Sequence, residues 1–297
     1  MSDNVKYKEW DLGDSKEEVD YRKWCLSNNL FLNSLNDLDN ISIAARDVLH
    51  LPAIIMKIDE KPFHHGLFNV IKQEYITARY LLFESMKHAQ QGEVHIADKD
   101  NTMVETLDYT FHSIGIEKKK IAFRMAYSIF DKIAYFMNEY FNLGMRQQDV
   151  YFKKIWYSKG EKKKGLVRKF VANENWPLRG LFWLSKDLFE NDDEFKNCLE
   201  PDAKELNDIR NHLEHKYLKV HMFGTHYSPP FSSDDLSYSI SRDSLFEKTL
   251  RLLKLTRSAI MYLSYSVHRE EQIRRKDIDT SKIAHIVTTE LFDDLRF

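Results

Sequence analysis

The chain has 297 residues, 43% of them hydrophobic and 30% charged, with only 9 Gly and 6 Pro. Few breakers and many long amphipathic runs predict an all-α globular protein of one large or two small domains, and exclude a disordered or collagen-like chain. The net charge of −2 excludes the global basic excess of a constitutive nucleic-acid binder, so any polyanion has to meet a local patch.

Residues 1–14 are polar and carry no signal-peptide core. Lys16 to Cys25 is a short helix, capped by Asp14 or Ser15, with Glu17 and Glu18 in its first turn. Leu30 to Asp39 is irregular and packs through Leu30, Phe31, Leu32, Leu35 and Leu38; a helical piece, Ile41 to Leu51, ends at Pro52. Leu67 to Gln91 is the first long helix, closed by Gly92. Glu117 to Leu143 is the second, ended by Gly144. Within it Asp131 lies among Ile129, Phe130, Ile133 and Ala134, where a carboxylate needs a partner; it is structural first, and a support to a site second.

Phe152 to Phe170 breaks the pattern. Lys153, Lys154, Lys159, Lys162, Lys163, Lys164, Arg168 and Lys169 are interleaved with Phe152, Trp156, Tyr157 and Phe170. A solvated loop is the plain reading; basic residues mixed with aromatics also hold phosphates and stack bases. Leu178 to Phe189 is a further helix with the aromatic pair Phe182-Trp183, and Pro201 to Val220 another. Leu236, Tyr238 and Ile240 alternate as one short strand. Ser244-Leu-Phe-Glu247 is a capping box that opens the last long helix, to about Arg269. Cys25 and Cys198 offer neither a disulfide framework nor zinc spacing, which fits a reducing cytoplasm, and no apolar run reaches the ~20 residues that span a bilayer.

The chemistry-bearing stretch is Arg210-Asn211-His212-Leu213-Glu214-His215. Leu206, Ile209, Leu213, Tyr217 and Val220 make the apolar stripe of its helix. At about 100° per residue, Arg210 lies roughly 60° from the centre of that stripe and His215 roughly 160°. Arginine, asparagine and histidine thus fan across a polar arc. The plain alternative is an Arg210–Glu214 surface ion pair and an exposed histidine. His212 and His215 are three apart, but two histidines without a third ligand make no zinc site, and no metal or other cofactor is expected.

These residues resemble the HEPN superfamily, α-helical bundles of bacterial toxins, phage-defence proteins and RNA-processing enzymes. The likeness is closest to a bacterial subfamily often found beside tetratricopeptide repeats, although no such array is visible here. It rests on Tyr21-Arg-Lys-Trp-Cys25, Leu30-Phe-Leu-Asn33, the run from Ala122 to Asp131, Leu184-Ser-Lys-Asp-Leu-Phe189, the run from Ile209 to Tyr217 and Lys248-Thr-Leu-Arg-Leu-Leu-Lys254. The resemblance implies a bundle of four to five long helices over residues 66–272. Residues 1–65 form an N-terminal segment packed on that core, and 273–297 a C-terminal tail.

The implied activity is a metal-independent endoribonuclease in which two subunits pair and their Arg-x-x-x-x-His motifs share a cleft. His215 takes the proton of an RNA 2′-OH, which attacks the adjacent phosphorus; histidine titrates near neutral pH and can return the proton. Arg210 neutralises the phosphoryl oxygens with a charge it cannot lose. Asn211 bonds the phosphate or orients His215, and the products are a 2′,3′-cyclic phosphate and a 5′-OH. His212, Glu214, Tyr217 and Asp131 are supporting candidates; Lys153, Lys154, Lys162, Lys163, Lys164, Arg168 and Lys169 are candidates for the RNA backbone. In relatives paired with a nucleotidyltransferase antitoxin, the tyrosine at the position of Tyr217 receives adenylate, although here it falls on the apolar stripe and is expected to pack. The expected setting is the cytoplasm, in a toxin or anti-phage role, with a homodimer and a possible separate antitoxin or sensor. The rival is a non-catalytic scaffold of the same fold that binds a nucleotide or a partner protein.

Overall fold

In a computed structural model, described for residues 9–56, 61–90, 94–106, 108–171, 174–189, 202–222 and 236–276, the chain is mostly helical. The elements are α1 (Lys16–Ser27), α2 (Phe63–Gln90), α3 (Ile114–Tyr140), α4 (Arg168–Val171), α5 (Trp176–Phe189), α6 (Ala203–His215), β1 (Tyr217–His221), β2 (Ser237–Ser241) and α7 (Arg242–Lys276).

The caps follow from short polar side chains at the helix starts. Ser15 accepts the Glu18 N–H at 3.1 Å and opens α1. Ser113 does the same for α3 through the N–H of Ile116. Asn175 caps α5 by accepting the Leu178 N–H at 3.1 Å, and its amide nitrogen donates to the Ser266 carbonyl, fixing the start of α5 on α7.

Helices α2 and α3 are antiparallel neighbours. Ion pairs join Glu84 to Lys118 and Glu74 to Lys132, in opposite chain directions. Helix α7 runs parallel to α3: Thr256 donates to the Ala126 carbonyl, and a turn-rich distance on, Tyr140 donates to Glu271. The apolar stripes of the three helices, with Ile71, Tyr75 and Leu82 from α2, Phe123, Ile129 and Phe136 from α3, and Leu252, Ile260 and Leu263 from α7, are fully buried in one core. Helix α5 closes it through Leu181 and Leu188.

The N-terminal residues enter the same core through Cys25, Leu30, Phe31 and Leu32. Two buried arginines hold their backbone. Arg79 of α2 donates to the Leu30 carbonyl and, through two nitrogens, to both oxygens of Asp47 at 2.9 and 2.7 Å. Arg257 of α7 donates to the carbonyls of Phe31 and Asn33 and to Asp37.

Three local readings of the sequence are corrected. The helix expected over 201–220 stops at His215, and Tyr217–His221 is a strand that pairs in parallel with Ser237–Ser241, Tyr217 opposite Ser237 and His221 opposite Ser241. Leu218 and Val220 satisfy the alternation of a strand as well as the spacing of a helix. The last helix begins at Arg242, not at the Ser244 box: Ser241 accepts the Ser244 N–H at 3.0 Å and takes the capping position one turn earlier. The piece expected over 41–51 is helical only as a 3-10 turn at Ser42–Ala44, and the chain from there to Leu51 is irregular. Pro201, Cys198 and the tail beyond Lys276 lie outside the described residues. Among the described residues no helix is long and apolar enough to cross a membrane.

Candidate active site

Helix α6 is short, and its neighbours fix it at both ends. At its start Lys248 of α7 pairs with Asp202 at 2.8 Å and Glu205 at 2.6 Å, and the Tyr238 hydroxyl of β2 donates to Glu205. Leu206, Ile209 and Leu213 bury the inner stripe. At its end Arg124 of α3 donates to the Leu213 carbonyl and sits 3.7 Å from Glu214. A cation at a helix C-terminus meets the negative end of the dipole and an orphan carbonyl together. The ion pair of Glu214 is therefore with Arg124 on the next helix, not with Arg210.

Arg210 is half-buried against α3. Its guanidinium lies 5.8 Å from the centroid of the Tyr127 ring and donates to Asn211 Oδ1 at 3.1 Å. Asn211 thus steers Arg210, rather than His215. Burial pushes the Tyr127 phenol up to about 12, against the opposing charge of Arg210, so the ring stays neutral beneath the cation. Asp131 stands one helical turn further along α3 and accepts the Phe152 N–H at 2.9 Å. Burial raises its carboxyl above the ordinary range, opposed by that N–H and by the charges of Arg210 and Lys153. Asp131 therefore clips the start of the basic loop to α3, within electrostatic reach of Arg210.

His215 is exposed on the last residue of α6, and its ring makes no hydrogen bond among the described residues. His212 leans on the Tyr238 ring at 5.4 Å, and its Nδ1 donates to the Asp208 carbonyl at 2.7 Å. A carbonyl can only accept, so Nδ1 carries a proton. Tyr217, expected to pack, is exposed at the first position of β1, with the Lys219 ammonium 5.4 Å from its ring. The strand flips it outward where a continued helix would have turned it inward. Among the described residues no group of three or more His, Cys, Asp or Glu is placed to hold a metal ion.

The basic loop divides. Lys153, Lys154, Lys162, Lys163, Lys164 and Arg168 are exposed, with Lys164 paired to Glu161. Lys169 instead donates to the Phe141 and Asn142 carbonyls and caps α3. Phe152, Trp156 and Phe170 are buried, so three of the interleaved aromatics belong to the core and are not available to bases. Arg124 and Tyr127, which set the end and the bed of the motif, lie in the Ala122–Asp131 run that carries the resemblance, but the sequence assigns neither a role. Their signal is positional only, as polar and aromatic residues on the flank of α3.

Arg210 and His215 are five residues apart, about 7.5 Å along the axis and about 140° around it. On an ideal helix that spacing sets the two side chains on different sides. A family model described as LA2681-like HEPN matches residues 55–270, which takes in every element from α2 to the greater part of α7. No curated protein and no solved structure matches the chain.

Proposed function

The chain belongs to the LA2681-like HEPN family, and from that premise we propose that it is a metal-independent endoribonuclease whose site is composed by two copies of α6. The observation that carries the reading is the contrast along the motif. Arg210 is bedded and steered, by Tyr127 and Asn211, while His215 is exposed at the helix end with no hydrogen bond to its ring among the described residues. A structural arginine–histidine pair would be satisfied at both members.

The steps assigned to the residues are these. The 2′-hydroxyl of a ribose gives its proton to the His215 imidazole, and its oxygen attacks the adjacent phosphorus. The P–O5′ bond breaks, leaving a 2′,3′-cyclic phosphate, and the 5′-oxygen takes up a proton. Arg210 holds the non-bridging oxygens as negative charge grows on them; Asn211 keeps its fork in one orientation. The 140° between the two side chains is bridged when a second α6, related by a two-fold axis, brings its His215 to the Arg210 of the first. The exposed Lys153 and Lys154, beside Asp131, take the RNA backbone, and the expected role is in toxin or anti-phage action in the cytoplasm.

Incubation of purified protein with cellular RNA in EDTA, beside His215→Ala, tests this. Cleavage with cyclic-phosphate ends that vanishes in the variant is the expected result. Undiminished cleavage by His215→Ala removes the assignment, and inertness of both proteins, with no His215-dependent growth arrest on expression, favours a non-catalytic scaffold.

A further inference from the structure

The outer face of α5 does not look like the outside of an ordinary helix. Trp176 and Trp183 stand seven residues apart on it, 70% and 55% exposed, with Arg179 between them. A large indole has little reason to face water, and two on one stripe, about 10 Å apart along the axis, make a continuous aromatic surface. The guanidinium of Arg179 lies 4.6 Å from the Trp176 ring and covers one of its faces with positive charge. One turn beyond Trp183, the Lys186 ammonium rests over Tyr157 and Phe182 at 5.7 and 5.6 Å, so the ridge carries a cation at each step.

Its flanks lead somewhere. On one side Gly180 lets the Tyr262 ring of α7 lie against the helix: a Cβ there would meet that ring at 2.9 Å. Tyr262 is itself 38% exposed and widens the aromatic surface. On the other side the Lys186–Tyr157 contact sets the basic loop against α5, and on the buried face of the helix Ser185 donates to the Phe152 carbonyl at the start of that loop. At the C-terminal end of α5, Phe189 packs on Tyr127 at 5.9 Å, and Tyr127 is the bed of Arg210. The ridge therefore runs toward the motif, with the basic loop along it.

We propose that the α5 ridge of Trp176, Arg179 and Trp183 is a stacking platform for single-stranded RNA, holding nucleotides that flank the phosphate bound at Arg210. The inference rests on the endoribonuclease reading and adds to it a second contact surface, which takes unpaired RNA because its bases can be splayed onto indole faces. A duplex keeps its bases stacked on one another and presents only phosphates to such a surface. Indoles interleaved with an arginine and a lysine that lie on aromatic rings suit a polyanion that also offers π-faces.

Binding is read separately from cutting. A short single-stranded oligoribonucleotide with 2′-O-methyl groups cannot form the attacking alkoxide, so its anisotropy titration reports affinity alone. Trp176→Ala and Trp183→Ala should each weaken binding at least about 5-fold, and Trp183→Phe, which keeps a ring, should stay within a few-fold of the unaltered protein. Affinity for a fully paired duplex should be the same in all of them. Unchanged single-strand affinity in the double alanine variant overturns the platform. So does a loss that tracks a fall in oligomeric state by sedimentation, which would make the ridge an interface between copies. Failure of the catalytic reading looks different: His215→Ala would still cut unmodified RNA while the tryptophan variants lost affinity for the blocked strand.

Discussion

The Arg210 guanidinium lies over the face of the Tyr127 ring, one helix away, at 5.8 Å. The tyrosine holds the cation by its π-face, leaving the guanidinium edge for an anion. Tyr127→Phe keeps that face and should leave cleavage near the unaltered rate. Tyr127→Leu keeps bulk but loses the quadrupole and should slow cleavage by roughly 3- to 30-fold, from about 0.5–2 kcal/mol. Arg210→Lys replaces a fork by a point charge and should cost on the order of 10²-fold in rate with the fold intact.

Arg124 should act on the site without touching substrate. Its donation to the Leu213 carbonyl anchors the last turn of α6, two residues before His215. Arg124→Ala should let the last turn fray, at about 0.5–1 kcal/mol for a half-exposed cation at a helix end. Faster hydrogen exchange at the Lys216 amide, which bonds the His212 carbonyl, is the readout, and Arg124→Lys should restore part of the protection.

Arg79 and Asp47 form a buried pair that holds the N-terminal segment. Arg79→Ala leaves Asp47 facing a dry cavity and should destabilise by about 3–5 kcal/mol in denaturant unfolding, whereas Arg79→Met with Asp47→Leu should recover most of it. Burial alone would raise the Asp47 carboxyl, but the adjoining Arg79 and the Leu32 N–H hold it below the ordinary range. A depressed carboxyl contributes stability above its unfolded pKa of about 3.9 and loses it as pH falls through the folded value. The stability gap between the unaltered protein and Asp47→Asn should therefore be constant from neutrality down to about pH 4 and close below that.

Lys119 should behave in the opposite sense. It is a buried lysine on α3, and burial, with Arg242 adding to it and Asp243 opposing, brings its ammonium down to about 8. Between about 8 and the unfolded value of about 10.4 the unfolded chain binds the extra proton, so this group makes stability rise with pH across that window. Lys119→Met should abolish that rise and stabilise the protein at pH 7 by up to about 3 kcal/mol, read from urea midpoints on either side of the window.

The long helices were legible because their apolar residues keep helical period over many turns, which no strand can imitate. At Tyr217–His221 the apolar residues fit both periods over five positions, so the strand was hidden until its partner was in view. The motif was legible as spacing and as an exposed His215; its surroundings were not. Which carboxylate Arg124 or Arg210 meets depends on how α3 lies against α6, and a charge pattern along one helix carries no record of that. The basic loop shows the same limit in reverse. Phe152, Trp156 and Phe170 alternate with lysines in the chain, yet the loop turns them all inward and the cations out.

The two buried arginines that grip the N-terminal segment emerge from synthesis at very different times. Arg79 follows Leu30 by 49 residues, whereas Arg257 follows Phe31 by 226. A chain made from its N-terminus can dock this segment on α2 early. It cannot satisfy the carbonyls of Phe31 and Asn33 from α7 until almost all of it has been made. Helix α7 is thus the latch on the first segment, and a chain cut short before Arg257 leaves the core open along the rest of α7.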